Sequence, residues 1–204
     1  MSSNLIPDNL DTHHAALLVI DMEKAFVEPG AALCIAGAKR TVPVLAETIA
    51  EARRLGVRII WVKRIYAADG SDMEAPRWRD LVARGYETAG VLAPDSVGLN
   101  SIEEPEGLVR DENDMVIIKP RFSAFFGTNL KSVLDEAGID TILLTGTTTP
   151  NCIRSTCYDA ISHDYRVIVM EACCSSVSDE VQATNILDME RIGAEIFRGR
   201  IKEE

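Results

Sequence analysis

Six short apolar runs constrain this chain more than any other feature. They are AALLVID (15–21), VRIIWV (57–62), MVIIK (115–119), TILLTG (141–146), RVIVM (166–170) and AEIF (194–197). None alternates apolar with polar residues, so each reads as a strand buried on both faces, as strands of a parallel sheet are. The segments between them carry helical spacing instead. Val42, Leu45, Ile49 and Ala52 mark one face of 41–55. Leu130, Val133, Leu134 and Ala137 do so in 129–137, with Gly138 placed as a C-terminal cap. Ile153, Cys157, Ala160 and Ile161 form a stripe in 151–163, and Val181, Ile186, Met189 and Ile192 a less regular one in 178–192. This alternation predicts an α/β fold: a doubly wound, mostly parallel six-stranded sheet with helices on both faces, one domain over 1–204. The exception is 66–112, which has several Pro and Gly and weak periodicity. It predicts loops around a short helix (76–84), and its Trp78 and Tyr86 argue that it is ordered, as a lid over a site would be.

Composition excludes several function classes. The chain has 21 basic and 32 acidic residues, a net charge of −11, which argues against nucleic acid or an anionic membrane as partner. No stretch approaches the ~20 apolar residues of a membrane span. The start, MSSNLIPDNLDTHH, has no basic region leading into an apolar core, so the expectation is a cytoplasmic protein. The five cysteines are odd in number and form no C-x-x-C, which reads as free thiols in a reducing compartment. The three histidines are scattered and show no ligand spacing, so neither a metal nor another cofactor is expected.

In an open parallel sheet, ligands bind beyond the carboxyl ends of the strands, where strand order reverses. Asp21 ends the first run, Lys119 ends MVIIK, and TILLTG leads into Cys152. Singly, each has a structural reading: a strand-terminating aspartate, a solvated lysine, a small buried thiol. Together at one sheet edge they form a constellation for nucleophilic catalysis. If Thr149 caps the helix and Pro150 opens it, Cys152 falls in the first turn, where backbone N–H groups and a nearby Lys119 favour a thiolate. Asp21 then suits the exchange of a proton with the thiol and a leaving amine, which is the pattern of cysteine-based acyl transfer.

These residues resemble the isochorismatase-like cysteine hydrolases, a group that includes nicotinamidases, N-carbamoylsarcosine amidase and ureide or biuret hydrolases. The matching stretches are LLVIDMEKAF, VIIKPRFSAFFGTNL and LLTGTTTPNCIRSTCYDA, in the family's order over roughly 15–197. The resemblance implies a catalytic triad of Asp21, Lys119 and Cys152. It also implies a cis peptide between Thr147 and Thr148, and an oxyanion hole made by the backbone N–H groups of Thr148 and Cys152. Metal-dependent nicotinamidases carry histidines after the second strand. WVKRIYAADGSD has none there, and Cys152 speaks for C–N bond hydrolysis over vinyl-ether cleavage. The resemblance further implies a homodimer or homotetramer.

The substrate expected is a small amide, ureide or lactam. Phe26, Arg64, Trp78 and Phe125 are candidate pocket residues, Arg64 for a substrate carboxylate. Each also has an ordinary reading as core aromatic or ion-paired arginine. Two other functions compete. A non-catalytic binding or regulatory protein on the same scaffold would not need an intact triad. A dinucleotide-binding protein would need a G-x-G-x-x-G after the first strand, which IDMEKAFVEPG does not offer.

Overall fold

The computed structural model describes residues 5–86 and 90–199. The six runs form six strands: β1 (Ala15–Ile20), β2 (Arg58–Arg64), β3 (Met115–Lys119), β4 (Thr141–Thr147), β5 (Arg166–Ser175) and β6 (Glu195–Phe197). They make one sheet in the order β3-β2-β1-β4-β5-β6, and every pairing is parallel. The helices are α1 (Lys24–Val27), α2 (Ala38–Arg54), α3 (Ala75–Ala83), α4 (Leu130–Glu136), α5 (Arg154–Ser162) and α6 (Asp179–Arg191). The predicted α/β fold is therefore the observed one, with the sheet wholly parallel.

Both faces of the sheet are covered, which is why the strands show no alternation. Leu18, Ile20, Ile60, Val62, Ile142 and Leu144 pack with Leu130 and Leu134 of α4, Cys157 of α5 and Met189 of α6. Leu17, Val19, Ile59, Trp61 and Leu143 point the other way, onto Val42, Leu45 and Ile49 of α2. Burying a Leu or Ile side chain stabilises by about 1.5–3 kcal/mol, so two such layers hold the sheet rigid under the site. A third, smaller cluster lies off the sheet. In it Phe26 of α1 packs with Tyr66, Met73, Leu81, Val91 and Leu92, so the segment after β2 has a core of its own. No helix among the described residues is long and apolar enough to cross a membrane.

The strand order reverses between β1 and β4, the place where a doubly wound sheet opens a crevice. Gly146 makes the close join there. Its φ is +109°, and a Cβ on it would stand 2.0 Å from the Ile20 carbonyl oxygen. β5 runs five residues past the apolar core of RVIVM. After a register shift its end pairs Cys174 with Gly146 and Ser175 with Thr147, bracing the segment that leads to Cys152.

Candidate active site

Three strands deliver one side chain each to this crevice. Asp21 follows β1 in a left-handed conformation, φ +50°, which aspartate tolerates better than most residues. Its N–H donates to the Val62 carbonyl at 2.9 Å, tying it to β2. Lys119 ends β3, in register with Arg64 at the end of β2. Cys152 lies in a π-helical turn, Thr149–Ile153, that runs directly into α5.

The three meet. Lys119 Nζ donates to Asp21 Oδ2 at 2.7 Å and lies 3.6 Å from Cys152 Sγ. A third contact, 3.2 Å to the Arg121 carbonyl, fixes the ammonium. Asp21, Lys119 and Cys152 are all buried. In such surroundings an unpaired charge costs several kcal/mol, so the pairing is obligatory. Asp21 Oδ1 has no hydrogen-bond partner among the described residues.

The start of the Cys152 helix differs from the sequence expectation. Thr148 is the N-cap, and the Thr149 hydroxyl donates instead to the Ser175 carbonyl at 3.0 Å. The peptide between Thr147 and Thr148 is cis. The thiol differs too. Burial pushes its pKa up, the Asp21 charge adds to that, and Lys119 and Arg64 only partly oppose them. Burial and the neighbouring charge of Asp21 therefore favour the neutral thiol over the thiolate. Helix start and lysine are visible in sequence, but complete burial is not.

Arg64 comes closer to the chemistry than a pocket wall would. It is fully buried, with Nη2 3.6 Å from Cys152 Sγ and Nη1 donating to the Tyr66 hydroxyl (2.9 Å) and Glu74 (2.5 Å). Tyr66 in turn donates to Glu74 at 2.6 Å. Burial alone would raise the Glu74 pKa, but Tyr66 and Arg64 outweigh it and hold the carboxyl below its usual value. Phe26 lies in the third cluster with the guanidinium of Arg77 over its ring, and Trp78 packs at the edge of that cluster. Phe125 goes elsewhere. Its ring lies against His163 (5.2 Å) and Tyr165 (5.9 Å), near the far end of α5. That is about 16 Å of helix from Cys152 at 1.5 Å rise per residue. Phe122 takes the place by the site, its ring 5.4 Å from the Arg64 guanidinium carbon and 39% exposed.

Sequence reasoning passed over Glu23, Tyr66, Glu74 and Arg77. Glu23 is fully buried two residues after Asp21. Its Oε1 accepts from the Arg64 N–H at 2.8 Å, and its Oε2 has no partner among the described residues. Burial first, and the Asp21 charge second, push its pKa well above normal against Lys63 and Lys119. A second acidic residue just past a strand-end aspartate was the available signal. Tyr66, Glu74 and Arg77 sit in the aperiodic segment, where no sequence signal marked them.

Known proteins resemble this chain along most of its length. The family model Isochorismatase domain matches residues 15–200. A protein of Arabidopsis thaliana named "Probable inactive nicotinamidase" is 38% identical over 182 residues, covering 88% of this chain and 90% of that one. Maleamate amidohydrolase of Pseudomonas putida is 30% identical over 181 residues, covering 86% and 78%. The crystal structure of an isochorismatase family protein from Desulfovibrio vulgaris superposes with a TM-score of 0.81 at 39% identity, covering 90% and 93%. With its wholly parallel sheet and these matches, the chain belongs to the isochorismatase family.

Proposed function

We propose that this protein is a cysteine-dependent hydrolase of a small-molecule C–N bond, in an amide, ureide or lactam, working through a thioester on Cys152. One observation carries the reading: the Lys119 ammonium stands between the Asp21 carboxylate and the Cys152 sulfur, all three buried. Membership of the family and similarity to a maleamate amidohydrolase support amide-type chemistry.

The geometry supports the following steps. The Cys152 thiol gives its proton to Asp21, whose Oδ1 has no hydrogen-bond partner among the described residues. The thiolate attacks the substrate carbonyl, and the backbone N–H groups of Thr148 and Cys152 stabilise the oxyanion. Asp21 passes the proton to the leaving nitrogen, and the C–N bond breaks. Asp21 then takes a proton from water, which attacks the thioester; the acid leaves and the thiol is restored. Lys119 and Arg64 balance the negative charge whether it resides on oxygen or on sulfur. Segment 66–112, which supplies Tyr66, Glu74 and Arg77, acts as the lid.

Ammonia release from primary amides, ureido acids and biuret-like compounds, and appearance of the ring-opened amino acid from lactams, test this, with Cys152→Ser as control. Turnover of at least one class by the wild type and none by the variant is expected. Equal turnover by both would end the thioester reading.

A non-catalytic binding protein is the second reading. The elevated thiol pKa and the name of the Arabidopsis relative favour it. It predicts saturable binding of such compounds with no turnover at all.

A further inference from the structure

Two arginines share one phenylalanine ring beside the nucleophile. The guanidinium carbon of Arg64 lies 5.4 Å from the centre of Phe122, and that of Arg77 lies 6.0 Å from it. Their roles differ. Both terminal nitrogens of Arg64 are engaged, with Tyr66, Glu74 and the Cys152 sulfur, and only its inner Nε has no partner among the described residues. Arg77 makes one long contact, Nε to Glu74 Oε2 at 3.8 Å, and its Nη1 is buried with no hydrogen-bond partner among the described residues. A guanidinium nitrogen in that state lacks an acceptor.

We propose that Arg77 receives a carboxylate of the substrate, so that the substrate is a short acid-amide or ureido acid whose scissile bond lies at Cys152. This rests on the hydrolase reading above and names its substrate class.

Three further observations support it. Arg77 is held over the faces of Phe26 (5.9 Å) and Phe122, which fixes the planar fork for two-point binding of a carboxylate. The charges around the nucleophile do not balance: Arg64, Arg77 and Lys119 face Asp21 and Glu74, while burial drives Glu23 toward its neutral form. One substrate anion restores balance, and this local positive excess runs against a chain charge of −11. Because both arginines abut the same ring, acid and scissile carbonyl are only a few bonds apart.

The test is binding to the full chain carrying Cys152→Ala, by calorimetry. The probe pairs are succinamate with succinamide, and 3-ureidopropionate with its methyl ester. The acid of at least one pair should bind about 10-fold or more tightly than its neutral partner, as a charged hydrogen-bond pair implies. Arg77→Met should erase that preference, and Arg77→Lys should keep part of it. Equal binding of acid and neutral member, binding of neither, or a variant that weakens both alike would overturn the proposal. The first comparison needs no Arg77 variant, so a folding defect cannot mask it. Failure of the hydrolase reading would look different: the acid binds, but the wild type releases no ammonia from it.

Discussion

Two arginine–carboxylate clusters in this molecule are built on opposite plans. Between α5 and α6, Arg154 Nε meets Asp188 Oδ2 at 2.6 Å, the Tyr158 hydroxyl donates to the same oxygen at 2.8 Å, and the guanidinium covers the Tyr158 ring at 5.0 Å. Both charged side chains are about 40% exposed, so water satisfies what the protein does not. At the β1/β4 crevice the charges are buried, and Asp21 Oδ1, Glu23 Oε2, Arg64 Nε and Arg77 Nη1 have no partner among the described residues. Unsatisfied buried polar atoms are rare because each costs about 1–3 kcal/mol. Their concentration at one sheet edge marks where the fold gives up stability to hold reactive groups ready. The helix-surface cluster is finished, whereas the crevice is built for something to complete it.

That contrast can be broken at several points. Gly146→Ala should do most damage, because a methyl cannot stand 2.0 Å from the Ile20 carbonyl oxygen. A loss of about 4 kcal/mol or more is expected, roughly 8–16 °C in Tm at this chain length, read by thermal melting. Lys119→Met should cost about 3–5 kcal/mol, since it strands the buried Asp21 carboxylate, and it should abolish turnover. Chemical denaturation and ammonia release check the two halves of that statement.

Glu23→Gln sharpens the comparison through pH. The folded state raises the Glu23 pKa, so between the ordinary carboxyl range and that raised value it binds a proton that the unfolded chain has lost. Stability that depends on this proton is complete at low pH and falls as pH rises through the window. Glutamine has no proton to lose and keeps an oxygen to accept the Arg64 N–H. The Tm of the variant should therefore gain on that of the wild type as pH rises above the ordinary carboxyl range; a difference constant with pH would contradict this. Arg154→Ala should move Tm by less than about 3 °C and leave turnover alone, as expected of an exposed pair.

Much of the crevice could be read before the structure. Asp21, Lys119 and Cys152 each stand just after an apolar run, and the parallel sheet brings those run ends together. The expected helix in 76–84 forms one residue earlier, as Ala75–Ala83. What lay out of reach depends on tertiary placement. Thr149 looked like a cap because Glu171 breaks the apolar run RVIVM, so the extension of β5 that puts Ser175 within reach of its hydroxyl was not read as strand. Phe122 and Phe125 are three apart in irregular backbone after β3, where no period says which faces the site. The thiolate expectation weighed a helix start and a lysine, but burial decides the sign and belongs to no single stretch of chain.

The central claim is that Cys152 carries the acyl group. Intact-mass measurement of the enzyme quenched in acid during turnover tests this most directly. The account predicts a mass increase equal to the acyl group of the substrate less the one hydrogen it replaces, mapped by peptide digestion to 151–154, discharged by hydroxylamine and absent from Cys152→Ala. Wild-type rates of ammonia release from the Cys152→Ala protein, with no adduct on either, would contradict it.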